Sequence, residues 1–456
     1  MDMVLTVAAS EANLFAARYQ MATSLGFHII LAAAGVAFPF ITLLAHRRGL
    51  RHNDPDALQL AKRWAKVMAV LFAVGAVSGT IISFEMGMLW PGMMGPFGDV
   101  IGLPFALEGV AFFVEAIFIA IYLYGWNRLP ARTHYRTLYP IVVSGFIGSF
   151  FIVSVNAWMN SPAGFTLTAA GEVTNIDPWA AMLNPATGVE YIHMLFAAYM
   201  LTGFTVAGVY AVGRLKGRTD RLHRLGFIIP FVVASIAAPL QVAVGDVASR
   251  RLIDAQPAKF AAMELLPETT AGAPMTLGGF LVDGKVRGAI EIPGLASFLA
   301  ARDFNAVVPG LDSVPADERP PANIVHWSYQ LMVALGTGLL ALSAWFAFIW
   351  WRKRDVPQGV WFWRFASLAG LGAIVALEAG WVTTEVGRQP WIVHGVVRTA
   401  DAVTAAEGIV VTAAAITALY LVLGVVTLAV LRRMSRRFAA GEDVATPYGP
   451  EGEVTP

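Results

Sequence analysis

Several side chains that could bind iron or move protons stand inside apolar segments of this sequence. Glu378 is the clearest of them, because it lies in the apolar segment 365–386, which runs into the charged turn from Gly387 to Trp391 (GRQPW). A carboxylate within a bilayer is costly unless a partner compensates its charge, and such residues usually mark a functional site. Together with other buried acids and histidines, Glu378 indicates redox chemistry rather than a passive membrane protein.

Two further acids are spaced for proton transfer. Glu108 and Glu115 lie seven residues apart in the apolar segment 104–125, which puts both on one face of a helix. A carboxyl group in a medium of low dielectric constant can stay neutral and exchange protons transiently, so the pair predicts a proton relay. The structural alternative is that these acids pair with buried Arg or Lys side chains.

Four potential metal ligands occur in four different apolar segments: His28, His193, Met332 and Glu378. At a rise of 1.5 Å per residue, and with the topology that the charge pattern favours, all four are predicted to lie in the outer leaflet. A single histidine in a membrane helix is often satisfied by a carbonyl or a hydroxyl, and methionine often only fills a gap in packing. Two histidines at matching depth favour ligation of a metal.

The other histidines fall near the ends of apolar segments. His326 and His394 lie at the predicted outer boundary of the membrane and are weaker candidates for a functional role. Four more belong to basic connections, where we predict solvated side chains: His46, His52, His134 and His223.

The composition is that of a polytopic membrane protein. Of the 456 residues, 57% are hydrophobic and 14% are charged, whereas a soluble globular chain carries about 25% charged residues. The net charge of +1 gives no indication of nucleic-acid binding. The absence of cysteine from the sequence excludes disulfides, Cys-ligated iron–sulfur clusters and thioether-linked haem. Any haem must therefore be held by His, Met or a carboxylate.

Nine apolar runs are long enough to span about 30 Å of hydrocarbon. They lie at 21–45, 65–88, 104–125, 139–159, 188–212, 226–247, 326–351, 365–386 and 407–431. Arg and Lys cluster in alternate connections, which places the N-terminus outside and the C-terminus in the cytoplasm. We therefore predict an all-α polytopic membrane protein with about nine transmembrane helices.

This topology divides the chain into four parts: transmembrane helices 1–6 in 1–247, an extracytoplasmic loop in 248–325, transmembrane helices 7–9 in 326–432, and a cytoplasmic tail in 433–456. The stretch from Met1 to Glu11 lacks the basic start of a signal peptide, so no cleaved leader is expected. The end of the tail, 440–456, is rich in Gly, Pro and Glu and is predicted to be disordered.

Several motifs, in this order along the chain, resemble subunit I of the cytochrome bd-type quinol oxidases. They are PFALEG (104–109), NAWMNSP (156–162), KFAAME (259–264), EAGW (378–381) and GRQPW (387–391). The resemblance covers nearly the whole chain, from Ala17 through the eighth apolar run. The compact 248–325 loop is similar to that of the short-loop subclass, which includes cyanide-insensitive oxidases.

The resemblance implies a terminal oxidase that oxidises quinol, reduces oxygen to water through three haems and generates a proton-motive force without pumping protons. His193 and Met332 would be the axial ligands of a low-spin haem b. His28 and Glu378 would each hold a high-spin haem, of which one is haem b and the other is haem d or a third haem b.

The resemblance assigns roles to further residues in the same way. Glu108 and Glu115 would carry protons towards the site of oxygen reduction, with Asn156 as a polar aid. Lys259 and Glu264 would bind quinol in the 248–325 loop. Two motif residues would help to bind the cofactors: Trp381 and Arg388.

Partners and location are implied as well. The family works as a heterodimer with a subunit II in the bacterial cytoplasmic (inner) membrane, and a small single-helix subunit is a further candidate partner. The substrates would be oxygen and either ubiquinol or menaquinol, with no role for nucleic acid. Two positions depart from the better-known long-loop members, since Gln330 replaces an Arg and Ile374 replaces a Trp.

Two other functions are compatible with the same residues. A proton-coupled membrane transporter could use Glu108, Glu115 and Glu378, although no internal repeat supports it. A dihaem electron relay without oxygen chemistry would use His193 and Met332 but would leave His28 and Glu378 without a role.

Overall fold

The computed structural model describes residues 11–442, and most of them are helical. The α-helices are α1 Glu11–His52, α2 Pro55–Leu89, α3 Pro91–Tyr124, α4 Ala131–Arg136, α5 Leu138–Asn160, α6 Pro178–Met182, α7 Thr187–Leu215, α8 Arg221–Ala255, α9 Pro257–Glu264, α10 Leu295–Ala301, α11 Ala322–Lys353, α12 Val360–Val386, α13 Thr399–Ala402 and α14 Ile409–Ala439. The predictions for the stretch before Glu11 and for residues 443–456 of the tail lie outside the described residues.

Short strands pair as antiparallel two-stranded sheets in the connections. The strands are β1 Thr166–Leu167, β2 Val173–Thr174, β3 Thr270–Ala271, β4 Met275–Val282, β5 Lys285–Ile292, β6 Val307–Val308, β7 Trp391–Val393 and β8 Val397–Arg398. They pair as β1 with β2, β3 with β6, β4 with β5, and β7 with β8. The β4–β5 hairpin is the longest of these sheets, and its register joins Met275 to Ile292.

Nine helices within residues 11–442 are long and apolar enough to cross a membrane: α1, α2, α3, α5 together with the short α4, α7, α8, α11, α12 and α14. This confirms the predicted all-α polytopic fold with about nine transmembrane helices, while the outward orientation of the N-terminus stays a prediction. Several of these helices are longer than the apolar runs: α1 begins at Glu11, before run 21–45, and α3 begins at Pro91, before run 104–125. At 1.5 Å per residue, the 42 residues of α1 extend roughly 63 Å.

The junction between α1 and α2 shows how local sequence ends one span and begins the next. Asp54 caps α2 by accepting a hydrogen bond from the backbone nitrogen of Ala57, and Pro55 occupies the first helical position. The buried Asp54 carboxylate also accepts from Arg221 at 2.7 Å and from Arg48 at 3.1 Å. These contacts bind the start of α8 to the α1–α2 turn.

Close packing divides the described chain into two units. The first comprises residues 11–152, 202–233 and 403–442, and the second comprises residues 153–201 and 234–402. The buried core of the first unit is formed by α1, α2, α3 and α5, with fully enclosed side chains such as Leu60 and Tyr122.

The core of the second unit lies in the 248–325 connection. Buried side chains of α9, including Phe260 and Met263, pack together with Leu311 and with Val325 of α11. Strand β4 also lies against α11. This connection is therefore ordered and is packed onto a membrane helix.

Candidate functional site

In the first unit, His28 lies on α1 with its ring against α2. Its Nδ1 is 2.8 Å from the hydroxyl of Ser78, which is completely buried. Gly79 lies beside the same ring, and a Cβ at that position would come within 3.0 Å of the His28 Cε1 atom. The neighbouring helix thus leaves just enough space for the imidazole.

In the second unit, His193 lies on α7 and faces α8. Its Nε2 is 3.1 Å from the amide nitrogen of Gln241, and its buried Nδ1 has no hydrogen-bonding partner among the described residues. A Cβ at Gly245 would lie 3.3 Å from the His193 Cε1 atom. As with His28, a glycine on the adjacent helix accommodates the ring.

Met332 and Glu378, also in the second unit, lie on adjacent helices α11 and α12. Gly380 is so close to Met332 that a Cβ there would come within 2.8 Å of the Met332 sulfur. Glu378 is two residues earlier on α12, and its Oε1 is buried without a hydrogen-bonding partner in residues 11–442. Trp381 follows on the same helix and is half-buried.

These four side chains fit the ligation of haem. They lie on four different helices, and a haem iron needs only one or two ligands from the protein, because the porphyrin supplies four nitrogens. A ring nitrogen of His193 and the Oε1 of Glu378 are buried without partners in the described chain, and imidazole and carboxylate are both groups that bind iron. The structure places His193, Met332 and Glu378 in one unit and His28 in the other.

The acids of α3 occupy one face of that helix, as their spacing requires. Glu115 is 9% exposed, and Glu108 is half-buried. Gly145 of α5 lies opposite Glu115, where a Cβ would be 3.7 Å from the Oε1 atom. Their role in proton transfer stays a prediction.

Lys259 and Glu264 both lie on α9 and are buried, although the sequence places them in an extramembrane loop. Lys259 is 3% exposed and donates to the Asn160 side chain at 3.0 Å. Burial lowers the pKa of Lys259, and nearby Arg388 lowers it further, while Glu190 and Glu385 act in the opposite direction. Loss of hydration therefore outweighs the attraction of two acids.

Glu264 is even more deeply enclosed, at 1% exposure. Burial raises the pKa of its carboxyl group to about 7, against the effect of hydrogen bonds from the backbone of Thr276 and the side chain of Tyr329. A carboxyl group with a pKa near 7 can accept and release protons at neutral pH.

Arg388 belongs to a buried polar network near Lys259. It forms an ion pair with Glu385, whose other oxygen accepts from Asn156 at 2.7 Å. Arg388 is 3% exposed, and its Nε and Nη1 are buried without partners in the described chain. Two unpaired guanidinium nitrogens are suited to a carboxylate such as a haem propionate. Asn156, the predicted polar aid to proton transfer, thus donates a hydrogen bond to the acid of this ion pair.

Gln330, one of the two positions that depart from the long-loop members, connects α11 to the β4–β5 hairpin. Its side-chain amide donates to the carbonyl of Thr276 in β4 at 2.9 Å. Ile374, the other departure, is half-buried on α12.

The prediction that all histidines of the basic connections are solvated is wrong for two of them. His46 and His134 are 1% and 2% exposed, respectively. His46 Nδ1 is 2.9 Å from the Tyr122 hydroxyl, and His134 Nε2 is 2.7 Å from the Tyr122 carbonyl. The ends of α1, α3 and α4 meet around Tyr122, a long-range contact that the local charge pattern does not reveal.

The histidines of the predicted outer boundary are also packed. His326 is completely buried, with its ring nitrogens 2.7 Å from the Met263 carbonyl and 3.0 Å from the Gly278 carbonyl. Burial, together with the nearby positive charges of Lys259 and Arg388, lowers the pKa of His394 to about 4.

Two buried groups were missed by reasoning from the sequence. Glu85 of α2 is 3% exposed and accepts from Gln20 at 2.8 Å, and Gln20 in turn accepts from Thr412 of α14 at 3.0 Å. Its position inside the apolar run 65–88 was an available signal. Ser78, the partner of His28, carries no signal by residue type, because serine is common in membrane helices.

The family of the protein follows from comparison with known proteins. The family model for cytochrome bd terminal oxidase subunit I matches residues 16–439. The chain belongs to this family. Cytochrome bd oxidases are haem-containing quinol:oxygen oxidoreductases of the bacterial inner membrane, and their subunit I works with a subunit II.

Individual relatives agree with this membership. A Bacillus subtilis (strain 168) protein named as the candidate subunit I of a cytochrome bd menaquinol oxidase is 36% identical over 442 residues, covering 95% of this chain and 99% of the relative. Subunit 1 of the cytochrome bd ubiquinol oxidase of the same organism is 31% identical, with 86% of each chain covered. The solved bd oxidase from Geobacillus thermodenitrificans matches with a TM-score of 0.87 and 37% identity, over 93% of this chain and 98% of that chain.

These comparisons confirm the predicted family, enzyme class and inner-membrane location. They set aside the transporter and the electron relay, since neither reduces oxygen.

Proposed function

We propose that this cytochrome bd subunit I carries three haems and couples two quinol oxidations to the reduction of one oxygen molecule to two water molecules. His193 and Met332 would hold a low-spin haem b. His28 and Glu378 would hold two high-spin haems, one of type b and the other of type d or b. When bound, the haems supply electron transfer and oxygen reduction.

The packing of the candidate ligands carries this proposal. Each of three candidate ligands packs tightly against a glycine of a neighbouring helix: a Cβ added to that glycine would lie within 3.3 Å of His28, His193 or Met332. Such close approach fixes each donor atom relative to an adjacent helix, as a ligand held in one geometry requires. The buried, unpaired Oε1 of Glu378 supports a role as the fourth ligand.

Quinol oxidation is assigned to the buried face of α9. Each quinol that is oxidised releases two electrons and two protons, so the site needs an acceptor for protons. Glu264, with a pKa raised to about 7 by burial, is suited to that role. Lys259, held by Asn160, would donate a hydrogen bond to a quinol oxygen.

Charge separation requires no pumping in this scheme. Protons from quinol would leave on the outer side, while protons for water formation would reach the oxygen site through Glu108 and Glu115 from the cytoplasm. Moving one charge against 100 mV costs about 2.3 kcal/mol. The predicted N-out topology supports this arrangement.

Arg388 is proposed to bind a haem propionate through its Nε and Nη1 atoms, with Glu385 and Asn156 holding the guanidinium in place. Trp381 is proposed to pack against the haem that Glu378 of α12 would hold.

The test is quinol-driven oxygen consumption by the purified complex with subunit II. We expect oxygen uptake with ubiquinol or menaquinol, with two quinols oxidised per oxygen molecule. Quinol binding without oxygen uptake by a haem-loaded complex would contradict the proposal.

A further inference from the structure

A short stretch of α2, from Gly75 to Gly79, lies against the imidazole of His28. We propose that Ser78 is a positioning residue that holds His28 in one tautomer, with the proton on Nδ1, and so presents Nε2 to the iron. The proposal rests on the proposed function, because it takes His28 as a haem ligand. It adds which ring nitrogen binds and which side chain selects it.

The tautomer follows from counting donors and acceptors. The hydroxyl of Ser78 donates its single proton to the Gly75 carbonyl at 3.0 Å, as serine in a membrane helix commonly does. Its oxygen therefore turns lone pairs towards His28 Nδ1, 2.8 Å away.

Because the Ser78 hydroxyl has donated its only hydrogen to Gly75, its oxygen acts as an acceptor at Nδ1, and this nitrogen must carry the proton. A neutral imidazole has one N–H, so Nε2 is left with a free lone pair. Imidazole binds metals in this neutral form through the unprotonated nitrogen. No described residue forms a hydrogen bond with His28 Nε2.

Gly79 fixes the position of the same ring. A Cβ at this residue would lie 3.0 Å from His28 Cε1 and 3.6 Å from Nε2, so any side chain would push the imidazole away from α2. Ser78 is completely buried, which protects its hydrogen bond from competition with water. Ser78 thus sets the rotation of the ring, and Gly79 sets the distance of the ring from α2.

The expected effect is that of a hydrogen-bond partner on a metal-ligating histidine. Such partners raise the basicity of the ligand, and their removal typically weakens metal binding by about 10- to 100-fold. A less basic imidazole stabilises the ferric state less, so the reduction potential of the bound haem should rise.

The experiment compares Ser78→Ala with Ser78→Thr in the purified complex with subunit II. The readouts are the iron–histidine stretching frequency of the ferrous high-spin haem, the midpoint potential of that haem, and the rate of haem loss to an excess of haem acceptor. Ser83→Ala is the matched control, because Ser83 also donates to a carbonyl of α2, that of Gly79 at 3.0 Å, but is exposed.

We expect Ser78→Ala to lower the stretching frequency, raise the midpoint potential and weaken haem retention by about 10- to 100-fold. Ser78→Thr, which keeps the hydroxyl, and Ser83→Ala should match the wild type, and the low-spin signal should stay unchanged in all variants. If all three readouts keep their wild-type values in Ser78→Ala, the proposal is overturned.

Two further variants keep the test decisive. If Ser78→Ala does not accumulate, Ser78→Cys offers a weaker acceptor, for which an unshifted frequency likewise overturns the proposal. His28→Ala separates this inference from the proposed function. If His28→Ala keeps every haem, the ligand assignment fails, whereas haem loss in His28→Ala with an unaffected Ser78→Ala rejects only the role of Ser78.

Discussion

At the scale of single residues, Glu264 is the group whose burial most directly predicts a pH dependence. Only its ionised form can accept a proton from quinol, and its pKa is raised to about 7. Below that value the carboxyl group is mostly protonated, so quinol oxidation should fall as the pH decreases through about 7. We expect Glu264→Gln to lose this acidic limb and about 10²- to 10⁴-fold of the quinol oxidation rate.

The measurement is the rate of quinol oxidation as a function of pH, together with oxygen reduction from an artificial electron donor. Glu268→Gln is the control, since it makes the same change at an exposed acid of the same connection. Equal loss of both activities in Glu264→Gln would count against a quinol-specific role.

Glu378 is predicted to serve oxygen reduction alone. Replacement by alanine removes the buried Oε1 that is proposed to bind iron, so Glu378→Ala should abolish oxygen uptake and keep the low-spin haem signal. Visible spectra and oxygen consumption check this, with the exposed Glu407→Ala as control. Wild-type turnover in Glu378→Ala would refute the assignment.

Residue chemistry was readable from the sequence where it opposed its surroundings. Glu378 and Glu115 stand out because charge is costly in an apolar run. His46 was misjudged because nearby arginines suggest solvent, whereas its burial comes from Tyr122, 76 residues away in sequence. Ser78 was not found because its importance lies in a contact with His28 and not in its own properties.

At the scale of elements, α11 holds the 248–325 connection in place. His326 contacts the carbonyls of Met263 and Gly278, and Gln330 donates to Thr276. His326→Ala would remove a hydrogen-bond donor from the buried Met263 carbonyl and from the part-buried Gly278 carbonyl, and an unsatisfied buried group costs about 1–3 kcal/mol. We therefore expect faster proteolysis of this connection and a higher KM for quinol.

Limited proteolysis and quinol kinetics of the same preparation measure the two effects. His52→Ala, at an exposed histidine, serves as the control. An unchanged cleavage rate in His326→Ala would show that other contacts suffice to hold the connection.

The membrane helices were predictable because their length is set by the thickness of the bilayer. The extensions of α1 and the fold of residues 248–325 could not be predicted from the sequence, since both depend on packing with distant elements. The burial of Lys259 and Glu264 arises in this way, because α9 packs against α11.

At the scale of the whole molecule, the proposed scheme fixes a proton count. Oxidation of quinol on the outer side releases one proton per electron there, and a proton pump would add to that number. In proteoliposomes we expect one proton released outside per electron transferred. A clearly larger ratio would contradict the scheme without pumping.

The central claim is that four side chains, His28, His193, Met332 and Glu378, hold three haems. The most direct test is a reduced-minus-oxidised visible spectrum of the purified complex, combined with a haem count by the pyridine haemochrome method. We predict three haems, one low-spin b and two high-spin, with a far-red chlorin band where the oxygen site holds haem d. A protein without haem, or with low-spin haem b alone, would contradict the account.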